Sequence, residues 1–424
     1  MVTLKPDQSW KKCLWVLFSA QLCTAIGFST INPFLPLYLG HLSNPGHVSI
    51  ATLSGLVYSL QALAMMIASP IWGSIADRYG RKPMIVRAML GGALTVLLMG
   101  FVRTVDELIF LRIMQGFLSG AISAISAFVA AKVPRDKIGY SMGVLQLGLW
   151  SGVSLGPLIG GTVSDYFGFR AAFIITAILL LASGAAVWMQ IDESHVRPDT
   201  GKRGLRSFAK NWKRILLFPG LIATLVLRFF TSLGRNALQP VLPLFVQSLM
   251  PGNTHIAGYT GLILAITSAT TAVSAIYLGK LGDRIGHKHV AFFSAIASAV
   301  FFLPQSMVTT PWQLMLLYAL TGIGIGGLTP SLSALLARFS KPSDAGSVYG
   351  IDNSTTSAGR AFSPMLAASI ATGFGLRWVF SMTGFLFLIT AVFIAAFLPG
   401  KAPIEPVSEA PEVKEAEMGE NADA

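Results

Sequence analysis

The sequence predicts an all-α polytopic membrane protein of twelve transmembrane helices in two parallel six-helix halves. Three observations carry this. The chain is 53% hydrophobic and only 12% charged over 424 residues, about half the share of a soluble domain, which carries roughly 25%. Apolar runs near 20 residues recur along it, the length a helix needs to cross a bilayer. The third is an internal repeat. Gly73–Lys82 reads Gly-Ser-Ile-Ala-Asp-Arg-Tyr-Gly-Arg-Lys, and Gly279–Lys288, 206 residues later, reads Gly-Lys-Leu-Gly-Asp-Arg-Ile-Gly-His-Lys.

The first six predicted spans run Cys13–Leu37, Ala51–Trp72, Pro83–Val102, Glu107–Ala131, Ile138–Gly161 and Ala171–Ile191. The second six run Ile215–Leu244, Ala257–Gly279, His289–Met307, Gln313–Arg338, Gly346–Ser369 and Trp378–Leu398. Residues 1–191 are thus expected to form one bundle and 214–398 the other, joined by a connector over 192–213. Basic residues lead into the first apolar run as in a secretory signal, but the run is too long and no clear cleavage site follows, so it is read as an uncleaved helix. The stretch 399–424, with seven acids and no apolar periodicity, reads as a disordered acidic tail.

Orientation follows from the basic residues. With the N-terminus inside, all but seven of the 31 lysines and arginines lie on the cytoplasmic side. The exceptions are Arg103, Arg170 and Arg377 outside, and Arg112, Arg228, Arg235 and Arg360 within spans. Both termini are therefore expected in the cytoplasm. The net charge of +12, which in a soluble chain would raise nucleic-acid binding, is explained by this topology, and no nucleic-acid partner is expected. The basic connector reads equally as a plain linker or as a helix lying on inner headgroups.

The repeat extends beyond the charged segments, with the offset moving to 207. Asn32-Pro33-Phe34-Leu35-Pro36-Leu37-Tyr38 pairs with Gln239-Pro240-Val241-Leu242-Pro243-Leu244-Phe245. Gly139, Gly143, Gln146, Gly152 and Pro157 pair with Gly346, Gly350, Asn353, Gly359 and Pro364, and Phe167–Arg170 with Phe374–Arg377. An even number of spans per copy makes the copies parallel, which places a binding site between them near the midplane.

The duplicated Gly-x-[Leu/Ile]-x-Asp-Arg-x-Gly-x-Lys segment, read as a short charged loop between spans, resembles the cytoplasmic signature of the major facilitator superfamily of secondary transporters. That resemblance covers about Trp10 to Leu398. It implies a conformational latch at Gly73, Asp77, Arg78, Gly80, Arg81 and Lys82, with Asp283 and Arg284 in the second copy. The plain alternative is a basic loop that only fixes topology. Leu111–Gly116 resembles the Arg-x-x-Gln-Gly motif of the fourth helix, which implies a part in proton coupling for Arg112. Its alternative is an arginine snorkelling from near the outer end of the span. Gly148, Gly152, Gly156, Pro157, Gly160 and Gly161 resemble the signature of exporters working by antiport, and glycines at every fourth position also make a smooth face for a neighbouring helix.

Asp352 is the one predicted carboxylate within a span, against the four arginines. A proton carrier must change charge between states, which arginine does not do. Asp352 is therefore the candidate coupling residue, or else the structural partner of one arginine. A surplus of three positive charges inside the spans favours an anionic or zwitterionic ligand over a bulky cation. Candidates for lining the binding site are Phe28, Asn32, Gln61, Gln146, Trp150, Arg228, Arg235, Asn236, Gln239, Asn353 and Arg360, each of which can equally be a packing residue.

Cys13 and Cys23 read as packing residues. Gly322–Gly327 satisfies a dinucleotide-binding pattern, but inside an apolar span, where glycines serve helix contacts. No metal cluster, P-loop or nucleophile–base arrangement is recognisable, so neither an enzyme nor an ATP-driven pump is expected. No cofactor is implied, only a proton gradient. The resemblance is greatest to the twelve-span drug–proton antiporters among bacterial multidrug exporters. It implies a monomer in the bacterial inner membrane whose partners are protons, a small-molecule substrate and the bilayer. Alternatives are a narrow-specificity metabolite, organic-anion or lipid exporter, and a membrane sensor that binds without transporting.

Overall fold

A computed structural model of the chain describes residues 6–44, 46–134, 137–191, 219–339 and 345–398. The expected connector and acidic tail lie outside the described residues. Among the described residues, twelve helical units follow one another: α1 (Pro6–Thr30, resuming as Leu35–Leu39), α2 (Ile50–Tyr79), α3 (Arg81–Met99), α4 (Val105–Leu118 and Ala121–Lys132), α5 (Ile138–Phe167), α6 (Phe169–Gln190), α7 (Pro219–Ala237, resuming as Leu242–Leu249), α8 (Ile256–Ile285), α9 (His287–Phe302, ending in a 3-10 turn), α10 (Pro311–Phe339), α11 (Ala345–Phe374) and α12 (Leu376–Phe397). Among the described residues, ten helices are long and apolar enough to cross a membrane. The two units that miss that criterion are α4, which is broken, and α11, which carries Asp352 and Arg360 among serines and threonines.

The repeat is visible in how helices begin, break and turn. Asn32-Pro33 interrupts α1 and Gln239-Pro240 interrupts α7, because proline cannot donate to the helix ladder and pushes its predecessor out of the helical region. Gly80 (φ 99°) joins α2 to α3 and Gly286 (φ 95°) joins α8 to α9. Both adopt a left-handed backbone open to glycine at little cost. The charged segments are thus not the loops that the sequence suggests. Helix runs through Asp77 to Tyr79, and one glycine makes the corner. Gly168 (φ 81°) and Gly375 (φ 101°) make the matching corners at the opposite end. α4 starts with a capping box in which Thr104 and Glu107 satisfy each other's backbone donors, and Thr310 and Gln313 repeat those bonds before α10.

Each half closes its own core. Tyr38 stands edge-on to Phe173 at 5.2 Å in the first half, and the repeat-related Phe245 and Phe380 lie 4.7 Å apart in the second. Burial of such aromatic pairs contributes both area and directional contact.

The halves meet through α5 against α8 and α2 against α11. A Cβ at Gly261 of α8 would collide with the carbonyl of Pro157, and one at Gly161 of α5 with the carbonyl of Ala257. In the pseudo-symmetric position a Cβ at Gly55 would stand 2.8 Å from the Pro364 carbonyl oxygen. Glycine at these points lets backbones touch, the close packing on which association in lipid depends. The seam is tied at the end remote from the chain termini. Asp165, near the end of α5, accepts hydrogen bonds from the amides of Ala257 and Gly258 at 3.2 and 2.6 Å. It thereby caps α8, whose own preceding residue, His255, supplies no side-chain cap. Ser49 and Thr52 meet Thr372 at 3.1 Å across α2 and α11. Toward the terminus-bearing end the contact gives out: Gly139, Gly143 and Gly279 face open space, and Tyr140 and Tyr277 are 61% and 71% exposed.

A charge-assisted bond to a helix terminus contributes about 2 kcal/mol, so Asp165→Ala is expected to raise the population opened at this end roughly thirtyfold. Spin labels at Phe167 and Phe374, exposed at the ends of α5 and α11 remote from the chain termini, check this. In the variant their distance distribution should gain a longer component, and an unchanged distribution would remove Asp165 from the closure.

Candidate functional site

The second half brings the four charged groups of its spans together. Arg228 of α7 reaches Asp352 of α11 through both edges of its fork, Nε donating to Oδ1 at 2.7 Å and Nη2 to Oδ2 at 2.6 Å. Asp352 is only 5% exposed, so the pair satisfies two charges that neither protein interior nor lipid would tolerate singly. Arg235, two turns along α7, lies within the electrostatic reach of both Arg228 and Arg360. Arg235 and Arg360 sit deep in the fold yet keep accessible surface, as side chains lining an internal cavity do. Arg235 also stacks its guanidinium over Trp150 of α5, 5.5 Å from the ring centroid. A cation–π contact therefore spans the two halves. With one aspartate neutralised, the cluster retains two positive charges.

The first half has a smaller cluster. Arg112 is 2% exposed, so it does not snorkel. Its Nη1 donates to Gln61 Oε1 at 3.1 Å and to Gln115 Oε1 at 3.2 Å. Gln61 Nε2 donates to Gln115 Oε1 at 3.1 Å, and Tyr58 presents its ring 5.9 Å from the guanidinium. The cluster forms because Gly116 lets the backbone of α4 lie against that of α2 at Gln61.

Several expected lining residues are not drawn into these clusters. Asn236 turns its amide back to the Ser232 carbonyl at 2.7 Å. Asn32 offers its backbone carbonyl to Tyr58 at 3.4 Å. Phe28 and Gln239 are half-buried, whereas Gln146 and Asn353 are exposed.

The glycine signature of α5 serves two neighbours. Gly148, Gly152, Gly156 and Gly160 lie against α1 at Phe18, Leu22, Ile26 and Thr30, whereas Gly161 faces α8. The side chains of Asp77 and Arg78, and the surroundings of Gly73, lie outside the described residues. Gly80 is the corner described above, and Arg81 and Lys82 open α3. In the second copy Asp283 is 73% exposed and meets His287 at 3.2 Å across the corner, while Arg284 is exposed. Lys288 donates to the carbonyls of Ala395 and Leu398 at the end of α12, where a cation suits the helix dipole.

Two features escape sequence reasoning. Asp165 lies beyond the expected end of α5 at Gly161, six residues before the helix stops, and the seam that makes the carboxylate useful joins distant segments. The other is the break in α4, expected as one span. Gly120 turns it with φ 115°. Arg87 of α3 donates to the freed Ser119 carbonyl at 3.0 Å, and Trp72 of α2 to that of Phe117 at 2.7 Å. The Ser119-Gly120 pair is the available signal.

Removing one partner of a buried ion pair leaves the other unpaired, at about 3–5 kcal/mol. Arg228→Ala and Asp352→Ala should each lower the melting temperature of the purified protein, and the double variant should recover part of that loss. Equal and additive losses would show that the pair does not stabilise the fold.

The chain was compared with known proteins. The sequence profile described as Major Facilitator Superfamily matches residues 17–250 and 224–420. The chain is 36% identical over 388 residues to the multidrug resistance protein MdtG of Salmonella arizonae, covering 91% of this chain and 95% of that protein. MdtG of Salmonella typhimurium matches to the same extent. Among solved structures, a point mutant of the nucleoside transporter NupG superposes with a TM-score of 0.75 at 15% identity, over 92% of this chain and all of that one. A bacterial homologue of the human lysosomal transporter Spinster, inward-facing and occupied, gives 0.74 at 13% identity, over 92% and 97%. The human organic anion transporter MFSD10 gives 0.62 at 19% identity, over 91% and 99%. Duplicated glycine corners, parallel six-helix halves and a charged cluster between them are thus features of a multi-pass membrane transporter, and the chain belongs to the major facilitator superfamily.

Proposed function

We propose that the protein is a secondary active exporter that drives small molecules outward against proton influx by alternating access. The observation that carries this is the placement of the Arg228–Asp352 pair. It holds a buried carboxylate beside accessible arginines, in a fold joined at one end and parted at the other. With the termini in the cytoplasm of a bacterial inner membrane, the parted end faces inward. Protonation of Asp352 would cancel its charge and free Arg228, so a proton changes the charge and the hydrogen bonding that a substrate meets in the same cluster. Broad small-molecule efflux is supported by the likeness to MdtG and by the glycine signature of α5. The cycle needs no cofactor beyond the gradient, and one chain suffices, since both halves of the site come from it.

A narrower reading, export of organic anions, is favoured by the arginine surplus around a single aspartate.

Everted vesicles containing the protein, a pH-gradient dye and a panel of cationic, zwitterionic and anionic drugs test both. Several drugs should collapse the gradient with wild type, anionic and zwitterionic ones most, and none with Asp352→Asn. A variant that responds like wild type would make Asp352 structural. Silence from every drug would sink the multidrug reading, and selectivity for lipophilic cations would sink the anion preference.

A further inference from the structure

The two buried arginine clusters differ in one respect. Arg228 uses its Nε and Nη2 donors, which lie on the same edge of the guanidinium, to grip both oxygens of Asp352. In Arg112 the same edge, Nε and Nη2, finds no partner among the described residues, although the residue is only 2% exposed. Only Nη1 is engaged, and both its acceptors are neutral amides.

The rest of the cluster sharpens the mismatch. Gln115 must turn its oxygen toward Arg112 and Gln61, which leaves its Nε2 as a third buried donor without a partner. Around Arg112 there are therefore a full positive charge and three unmatched donors, and no described residue offers that edge a negative charge within bonding distance. A buried guanidinium without a counter-charge is costly. The group that matches it accepts only, carries negative charge and presents two oxygens about as far apart as those of Asp352. Half-buried Gln61 leaves the cluster bordering accessible space.

We infer that Arg112, with Gln61 and Gln115 holding its fork in place, is a docking point for the carboxylate or phosphonate group of an organic acid. Arginine stays protonated, so its contribution is to bind charge rather than to pass a proton. That the acid is a transported molecule rests on the export reading above; that it binds here does not.

The test uses purified full-length protein in detergent with benzoate and phenylphosphonate as probes, and benzyl alcohol and benzylamine as controls, read by saturation-transfer NMR. Benzoate should bind and the two controls should not. Arg112→Lys keeps the charge but loses the fork, and is expected to weaken benzoate by about tenfold; Arg112→Gln should weaken it by about a hundredfold. In case these variants fold poorly, Gln115→Glu offers the fork a carboxylate of its own. It should raise the melting temperature and suppress benzoate binding. Unchanged benzoate affinity in Gln115→Glu, or parity of benzoate with benzyl alcohol, overturns the assignment. Displacement of benzoate by chloride at equal concentration overturns the organic-acid identity of the guest. Export is read separately in proteoliposomes. Benzoate that binds through Arg112, with no drug of the panel moved by a pH gradient, leaves this site standing and removes the antiport reading; drug antiport with benzoate binding indifferent to Arg112 does the reverse.

Discussion

The structure depends on backbone meeting backbone across the seam of the two halves. Lipid tails are as apolar as leucine, so apolar surface alone gives two bundles no reason to associate. Gly55 against Pro364 and Gly261 against Pro157 provide one, by letting helices approach until main chains touch. The contact is related by the repeat, so it forms a pair of matching rails between the halves. The rails fix which residues face each other there, and Trp150 meets Arg235 because α5 is held against α8. A larger residue at either glycine would part the helices there, and one at Gly261 would draw α5 and its Trp150 away from Arg235.

Charge placement follows a common logic. Inside a low-dielectric fold each ionised group needs a partner, and the chain meets that demand differently in its halves. The second half pairs Arg228 with Asp352 and lets Arg235 and Arg360 reach accessible space. The first half wraps Arg112 in amides. Both arrangements leave positive charge in search of a negative guest, which is why anion chemistry recurs in the functional reading although the seam between them is built from uncharged atoms.

Much of this is legible in the sequence, for reasons that can be named. The repeat, the twelve units and the arginine count are properties of spacing and composition, which one chain records directly. Asp352 can be singled out because a lone carboxylate among apolar residues is conspicuous. Its partner cannot be chosen among four arginines, since the choice depends on how α7 meets α11. Asp165 is hidden when the helix boundary is drawn too early. Distance from the span end leaves snorkelling open for Arg112, because its burial is set by Gly116 and the close approach of α2. Spacing along one helix predicts a face; it does not predict what lies against that face.

The break in α4 gives the halves unlike mechanics. Gly120 divides α4 into a first piece that carries Arg112 and lies on α2, and a second piece that packs on α3. Its counterpart, α10, runs unbroken from Pro311 to Phe339. One half therefore has a joint in its fourth helix, just past its buried arginine and splinted by Arg87 and Trp72, whereas the matching helix of the other half is continuous, with Pro330 inside it. The first half can flex at this joint, so that a ligand gripped at Arg112 would pull on the first piece of α4 without having to turn the bundle around it.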